Sequence, residues 1–117
     1  KPIDTGSTKV GGFIADHVKS SIGTLLNTGT IVGTAAVLVA TGAPLPKNIP
    51  AFAWFLNGFI TKGFGLNGLI DTARVAMSRR KVEMTPEDEQ LLRHVFTLTN
   101  DERMNYVRKG RRAMAKK

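Results

Sequence analysis

At 117 residues the chain is long enough for one compact core and leaves little room for two. It has no cysteine, which excludes disulfides and thiolate metal sites and fits a reducing cytosol. Seventeen Lys and Arg against nine Asp and Glu give a formal charge of +8, so an anionic partner is a natural question to put to it. The hydrophobic share of 42% is that of an ordinary globular chain. It opens Lys-Pro-Ile-Asp, without an initiator Met or an apolar signal segment, and reads as a piece of a longer chain.

The first third carries a six-residue repeat. Thr8, Ile14, Ser20, Leu26, Val32 and Leu38 open successive hexads, and the fifth places are Gly12, Val18, Thr24, Thr30, Ala36 and Gly42. In a parallel β-helix the opening residue points inward, and the fifth must be small or β-branched where the chain turns a corner. Second places hold Ala15, Ser21, Asn27 and Gly33, with Lys9 and Val39 as departures. A pair of ordinary strands between residues 32 and 39, with Gly29, Gly33 and Gly42 marking turns, is the competing reading. Hexads stacked three to a turn give only about two turns here, fewer than repeat folds usually need.

Residues 31–45 and 49–60 are apolar. Both stretches fall short of the roughly 20 residues of a spanning helix, and Gly33, Gly42 and Pro44 interrupt the first. No membrane partner is expected. Pro44, Pro46 and Pro50 remove ladder donors, so the hexads are expected to stop there. Phe52, Trp54, Leu56, Phe59 and Ile60 then read as a plug or brace over the end of the repeat. Leu66, Leu69, Ile70, Ala73, Ala76 and Met77 are spaced as one helical face, which predicts a helix over 67–80. Thr85-Pro86-Glu87-Asp88 starts a second, with Thr85 as cap, Asp88 reaching back, and Leu91, Leu92, Val95 and Phe96 as its buried stripe. A third begins after Asn100, turns Met104 and Val107 inward, and is expected to dissolve into a basic tail. The expected organisation is therefore 1–43 repeat, 44–65 connector or cap, and 66–117 helices.

Several words of the sequence are more specific than its spacing: Pro2-Ile3-Asp4-Thr5-Gly6, Lys9-Val10-Gly11-Gly12-Phe13-Ile14-Ala15-Asp16-His17-Val18-Lys19, Leu25-Leu26-Asn27-Thr28-Gly29, Leu45-Pro46-Lys47 and Pro50-Ala51-Phe52-Ala53-Trp54. In these the chain resembles a divergent branch of the bacterial sugar-phosphate nucleotidyltransferases related to the bifunctional N-acetylglucosamine-phosphate uridylyltransferase and glucosamine-phosphate acetyltransferase, at the C-terminal end. The resemblance implies a fold that is mainly β and then α, a partial left-handed parallel β-helix followed by a helical segment. It also implies a cytoplasmic homotrimer with acetyl-coenzyme A as co-substrate between adjacent coils, acting on sugar phosphates and nucleotides in UDP-N-acetylglucosamine biosynthesis. The nucleotidyl-transfer chemistry, with its magnesium-binding carboxylates, belongs to an N-terminal domain that these residues do not include. The family's catalytic His also belongs to an earlier motif.

Candidate residues follow from both routes. His17 has the imidazole a general base needs, though a surface or subunit-contact role is the plainer one. Lys19, Ser21, Gly23, Thr24 and Ala40 correspond to the region where the family's coenzyme A lies along the coil, Lys19 being the cation for a phosphate. Arg79 and Arg80 can grip a phosphate, or simply answer the dipole of their helix. His94 reads as an ordinary helix residue, and no metal spacing joins it to His17. The expected function is the end portion of such a transferase, inactive by itself, serving subunit assembly and part of an acyl-coenzyme A site. The alternatives are a trimerisation scaffold without acyl transfer, or a basic module that binds nucleic acid. Only Tyr106 is interleaved with the terminal cations, which weakens the last of these.

Overall fold

A computed structural model describes residues 3–116. Among these, short strands come first and three helices follow: β1 Phe13–Ile14, β2 Lys19–Ser20, β3 Ile31–Val32, β4 Val37–Leu38, β5 Asn48–Ile49, β6 Trp54–Leu56, β7 Phe59–Thr61, α1 Leu66–Ser78, α2 Pro86–Leu98 and α3 Asn100–Ala115. One sheet has the order β1-β3-β5 and is wholly parallel. The other runs β2-β4-β6-β7, and only its last pair is antiparallel.

The register turns the hexad spacing into geometry. Phe13 pairs with Ile31 and Lys19 with Val37, an advance of three hexads in each case. The next advance drops one residue, so that Ile31 meets Asn48 and Val37 meets Trp54. A flank without strands is tied at similar separations: the Gly29 amide donates to the Gly11 carbonyl at 3.0 Å, and the Leu45 amide donates to the Leu25 carbonyl at 2.9 Å. The Asn27 amide side chain also donates to the Leu45 carbonyl at 3.0 Å.

Residues 44–65 supply three strands, where a connector or cap was expected. The prolines do not stop the sheet, because Pro46 and Pro50 flank β5 without lying in it. The β3 side asks β5 for carbonyls, the Ile31 amide donating to Lys47 at 2.7 Å and the Gly33 amide to Ile49 at 2.9 Å. Missing proline N–H groups forfeit nothing in those bonds. The aromatic segment, expected as a plug or brace over the end, itself forms strands. Trp54 and Phe55 continue the second sheet, and Asn57-Gly58, with φ of 53° and 85°, turn the chain back into β7. Two consecutive positive φ angles are what a two-residue hairpin of matching twist requires.

Alternation sorts the strand residues. Val32, Leu38, Ile49 and Phe55 point inward and join Ala36, Leu45, Ala53, Ile60 and Val107 in one core. Thr30 and Ala36, both at fifth places, are fully buried. The opening places nearer the N-terminus depart from the expected inward burial: Ile14 is 55% exposed and Leu26 43%, and Thr8 and Ser20 are exposed too. Their side chains have no facing layer, because among the described residues no strand lies beyond β1 or β2.

α3 covers the opposite end at β7, while α1 and α2 pack along the side marked by Ala35 and Phe52. Thr85 and Asp88 form the expected capping box, the Asp88 amide donating to Thr85 Oγ1 at 3.1 Å and the Thr85 amide to Asp88 Oδ2 at 3.0 Å. Ile70, Ala73, Met84 and Leu92 pack on Ala35, Ala51 and Phe52 in a second core. Leu91, expected in the buried stripe, is 62% exposed, because the contact face of α2 turns through Leu92, Val95 and Phe96. The basic end does not dissolve: α3 runs to Ala115 with Val107 and Gly110 against β7 and the cations from Arg108 to Lys116 exposed. A Cβ on Gly110 would stand 2.5 Å from the Ile60 carbonyl oxygen, so only glycine permits this approach. No helix among the described residues is long and apolar enough to cross a membrane.

Candidate functional site

Lys19, Val37 and Trp54 stand side by side on β2, β4 and β6, one rung of three parallel strands. Their inward neighbours Ser20, Leu38 and Phe55 form the adjacent rung, so alternation turns the first three outward. The start of α1 lies over this outward rung. Together they enclose a cleft of about 440 Å³ lined by Lys19, Val37, Trp54, Phe64, Gly65, Gly68, Leu69 and Thr72. Gly63, at φ 70°, lets the chain pass flush against the indole: a Cβ there would fall 2.3 Å from Trp54 Cδ1. Phe64 meets the indole edge to face, with centroids 4.5 Å apart. Lys19 Nζ donates to the His17 carbonyl at 3.4 Å, a long bond that leaves donors for something else.

The other residues proposed from the sequence around Lys19 largely bond one another. Ser21 Oγ accepts the Ala40 amide at 2.8 Å, and Thr24 Oγ1 donates to the Ser21 carbonyl at 2.7 Å. Gly23 takes φ 80° at the turn between them. The set Ser21, Gly23, Thr24 and Ala40 is therefore a braced corner, and Lys19 is the member that opens on a cleft.

His17 sits at a different corner with φ of 60°. Ala35 and Phe52 have φ of 61° and 60°, and they follow at the spacing of the strand register, so one left-handed kink recurs beside successive strands. The half-buried imidazole borders a hollow of about 230 Å³ with Asp16, Thr34, Met77, Met84 and Asp88, away from the Lys19 cleft. Arg79 and Arg80 are exposed just past α1, their amides donating to the Val75 and Met77 carbonyls. They line neither space. His94 is exposed on α2, and no group of three His, Asp or Glu among the described residues is placed to hold a metal ion.

Two features escaped the sequence reading. The cleft depends on β6 continuing the sheet, and Asn57-Gly58 between apolar runs is the signal that could have exposed that hairpin. The other is Arg103, 1% exposed on a helix whose hydropathy marks it as solvated. Its guanidinium donates to Thr99 Oγ1 at 3.0 Å, the Phe96 carbonyl at 3.1 Å, Asn100 Oδ1 at 3.1 Å and the Ala51 carbonyl at 3.4 Å. It also lies 4.0 Å over the Phe96 ring. Burial pushes its pKa below the usual arginine value. Thr99 and Asn100 lie within one helical turn of it, whereas the Ala51 and Phe96 carbonyls that complete its burial are brought by the fold, and spacing gives no sign of those.

The chain matches no protein-family model, no curated protein and no solved structure.

Proposed function

We propose that the strands are levels of a partial left-handed parallel β-helix, and that the chain is the C-terminal portion of a sugar-phosphate nucleotidyltransferase or acyltransferase. Its work there is subunit assembly, with Lys19 on one wall of an acyl-coenzyme A site in amino-sugar nucleotide biosynthesis. The observation that carries the reading is the register: the parallel strands of two sheets advance in step, by three hexads and then by one residue less. The recurring left-handed corner at His17, Ala35 and Phe52 is consistent with it.

Coenzyme A fits these residues only in part. Lys19 is open to a phosphate, whereas Ser21, Thr24 and Ala40 already bond one another. Assembly is accordingly the better supported share of the function, and magnesium chemistry stays with the N-terminal domain of the parent protein. Phe13, Ile14, Ile22, Leu25, Leu26 and Ile31 are exposed near the first strands, an apolar surface of the kind that associating subunits cover. A cyclic trimer in the cytoplasm is the simplest assembly.

Sedimentation of this chain tests the reading: a trimer is expected, and a clean monomer overturns the assembly role. Acetyl transfer to glucosamine phosphate by the chain alone is expected to be absent, and strong turnover would show that the active centre lies here after all. Calorimetry of the parent protein with acetyl-coenzyme A separates transferase from scaffold, since no heat of binding leaves only the scaffold. A second reading rests on α3, where Arg108, Lys109, Arg111 and Arg112 are exposed. None of the ion pairs among the described residues involves them. Filter binding of DNA or RNA that weakens steeply as salt rises would favour a nucleic-acid surface instead.

A further inference from the structure

The cleft over the second sheet has a chemistry of its own, independent of the transferase reading. Its floor is the Lys19, Val37 and Trp54 rung, and neighbouring parallel strands lie about 4.8 Å apart, which puts the Lys19 backbone roughly 10 Å from that of Trp54. Phe64, 86% exposed although it touches Trp54, extends the aromatic end. Gly68 lines the roof, and the space beside it is open, since a Cβ built there meets nothing within 4 Å. Lys19 is the one charged side chain lining the space among the described residues, so no carboxylate neutralises it within the cleft.

An apolar slot with aromatic edges at one end and a lone cation at the other is complementary to one kind of small molecule. We propose that this cleft binds a small aromatic anion, an aryl ring carrying a carboxylate or a phosphate. The ring lies against Trp54, Phe64 and Leu69, and the anion accepts hydrogen bonds from Lys19 Nζ. About 440 Å³ accommodates such a molecule, within the range usual for ligand pockets. With only one charged contact, affinity for a fragment of this size is roughly millimolar.

Trp54 is the only tryptophan, so its emission reports the cleft directly. The chain is titrated with phenylpropionate, with phenyl phosphate and with the neutral phenylpropanol. A saturable change in emission with either anion supports the proposal, and the stronger of the two names the head group. Lys19→Gln is expected to weaken that anion about tenfold while leaving phenylpropanol unchanged. Gly68→Leu fills the roof and is expected to abolish the response, with far-ultraviolet circular dichroism and the thermal midpoint showing that it folds. No saturable change with either anion overturns the proposal. So does equal binding of phenylpropanol, or an undiminished response in Lys19→Gln, a variant that leaves the apolar core untouched.

Discussion

Ile14 and Val32 face each other on paired strands and hold the same place in the repeat, yet one is 55% exposed and the other 1%. The hexad decides which way a side chain points, and what lies beyond it decides whether pointing inward means leaving water. Val32 has Ile49 on its far side, and at the same end Val107 of α3 closes the core, whereas Ile14 borders the leading edge of its sheet. An apolar side chain at the same place of the repeat therefore contributes about 2 kcal/mol of burial in one case and only part of that in the other.

The helical backing of the buried end is the first thing to break. Arg103→Ala removes the hydrogen bonds that join α3 to the end of α2 and to Ala51, leaving the Phe96 carbonyl without this donor. A loss of about 4 kcal/mol in urea unfolding is expected. A loss below about 1 kcal/mol would show that water substitutes readily and that the end is less closed than its packing implies. The sharpest form of the comparison is a matched pair: Leu38→Ala should lose about 3 kcal/mol and Leu26→Ala less than about 1, although both open hexads. Equal losses at concentrations where the chain associates, with unequal ones in dilute monomer, would show that association covers Leu26. Thr85→Ala is a smaller change than Leu38→Ala, about 1 kcal/mol from the loss of one half of the capping box, read as a lower urea midpoint.

Much of this was legible beforehand, for reasons that are local. Val32, Leu38 and Ala36 were readable from period and size, and Thr85-Pro86-Glu87-Asp88 from a cap whose partners are three residues apart. What was not legible depends on distant groups. The drop of one residue before Asn48 hides β5 and β6 from a strict six-residue frame, and prolines that look like a stop fall beside the strand. Leu91 carries the right letter on the wrong angular position of its helix. Lys19 was singled out for its charge, but its cleft exists only because Trp54 arrives from 35 residues later in the chain, through a pairing with Val37. Arg103 reads as one more solvated cation until Phe96, Asn100 and Ala51 converge on it.

The corner shared by His17, Ala35 and Phe52 leaves room for hardening the protein against heat. Each of these holds a side-chain-bearing residue in a left-handed conformation that disfavours it by about 1 kcal/mol or more, and none of the three is glycine or asparagine. Asparagine tolerates that conformation without the full entropic penalty of glycine. His17→Asn is thus the most accessible exchange, since the imidazole is only half-buried, and a melting temperature raised by a few degrees would show that relaxed backbone outweighs the lost ring.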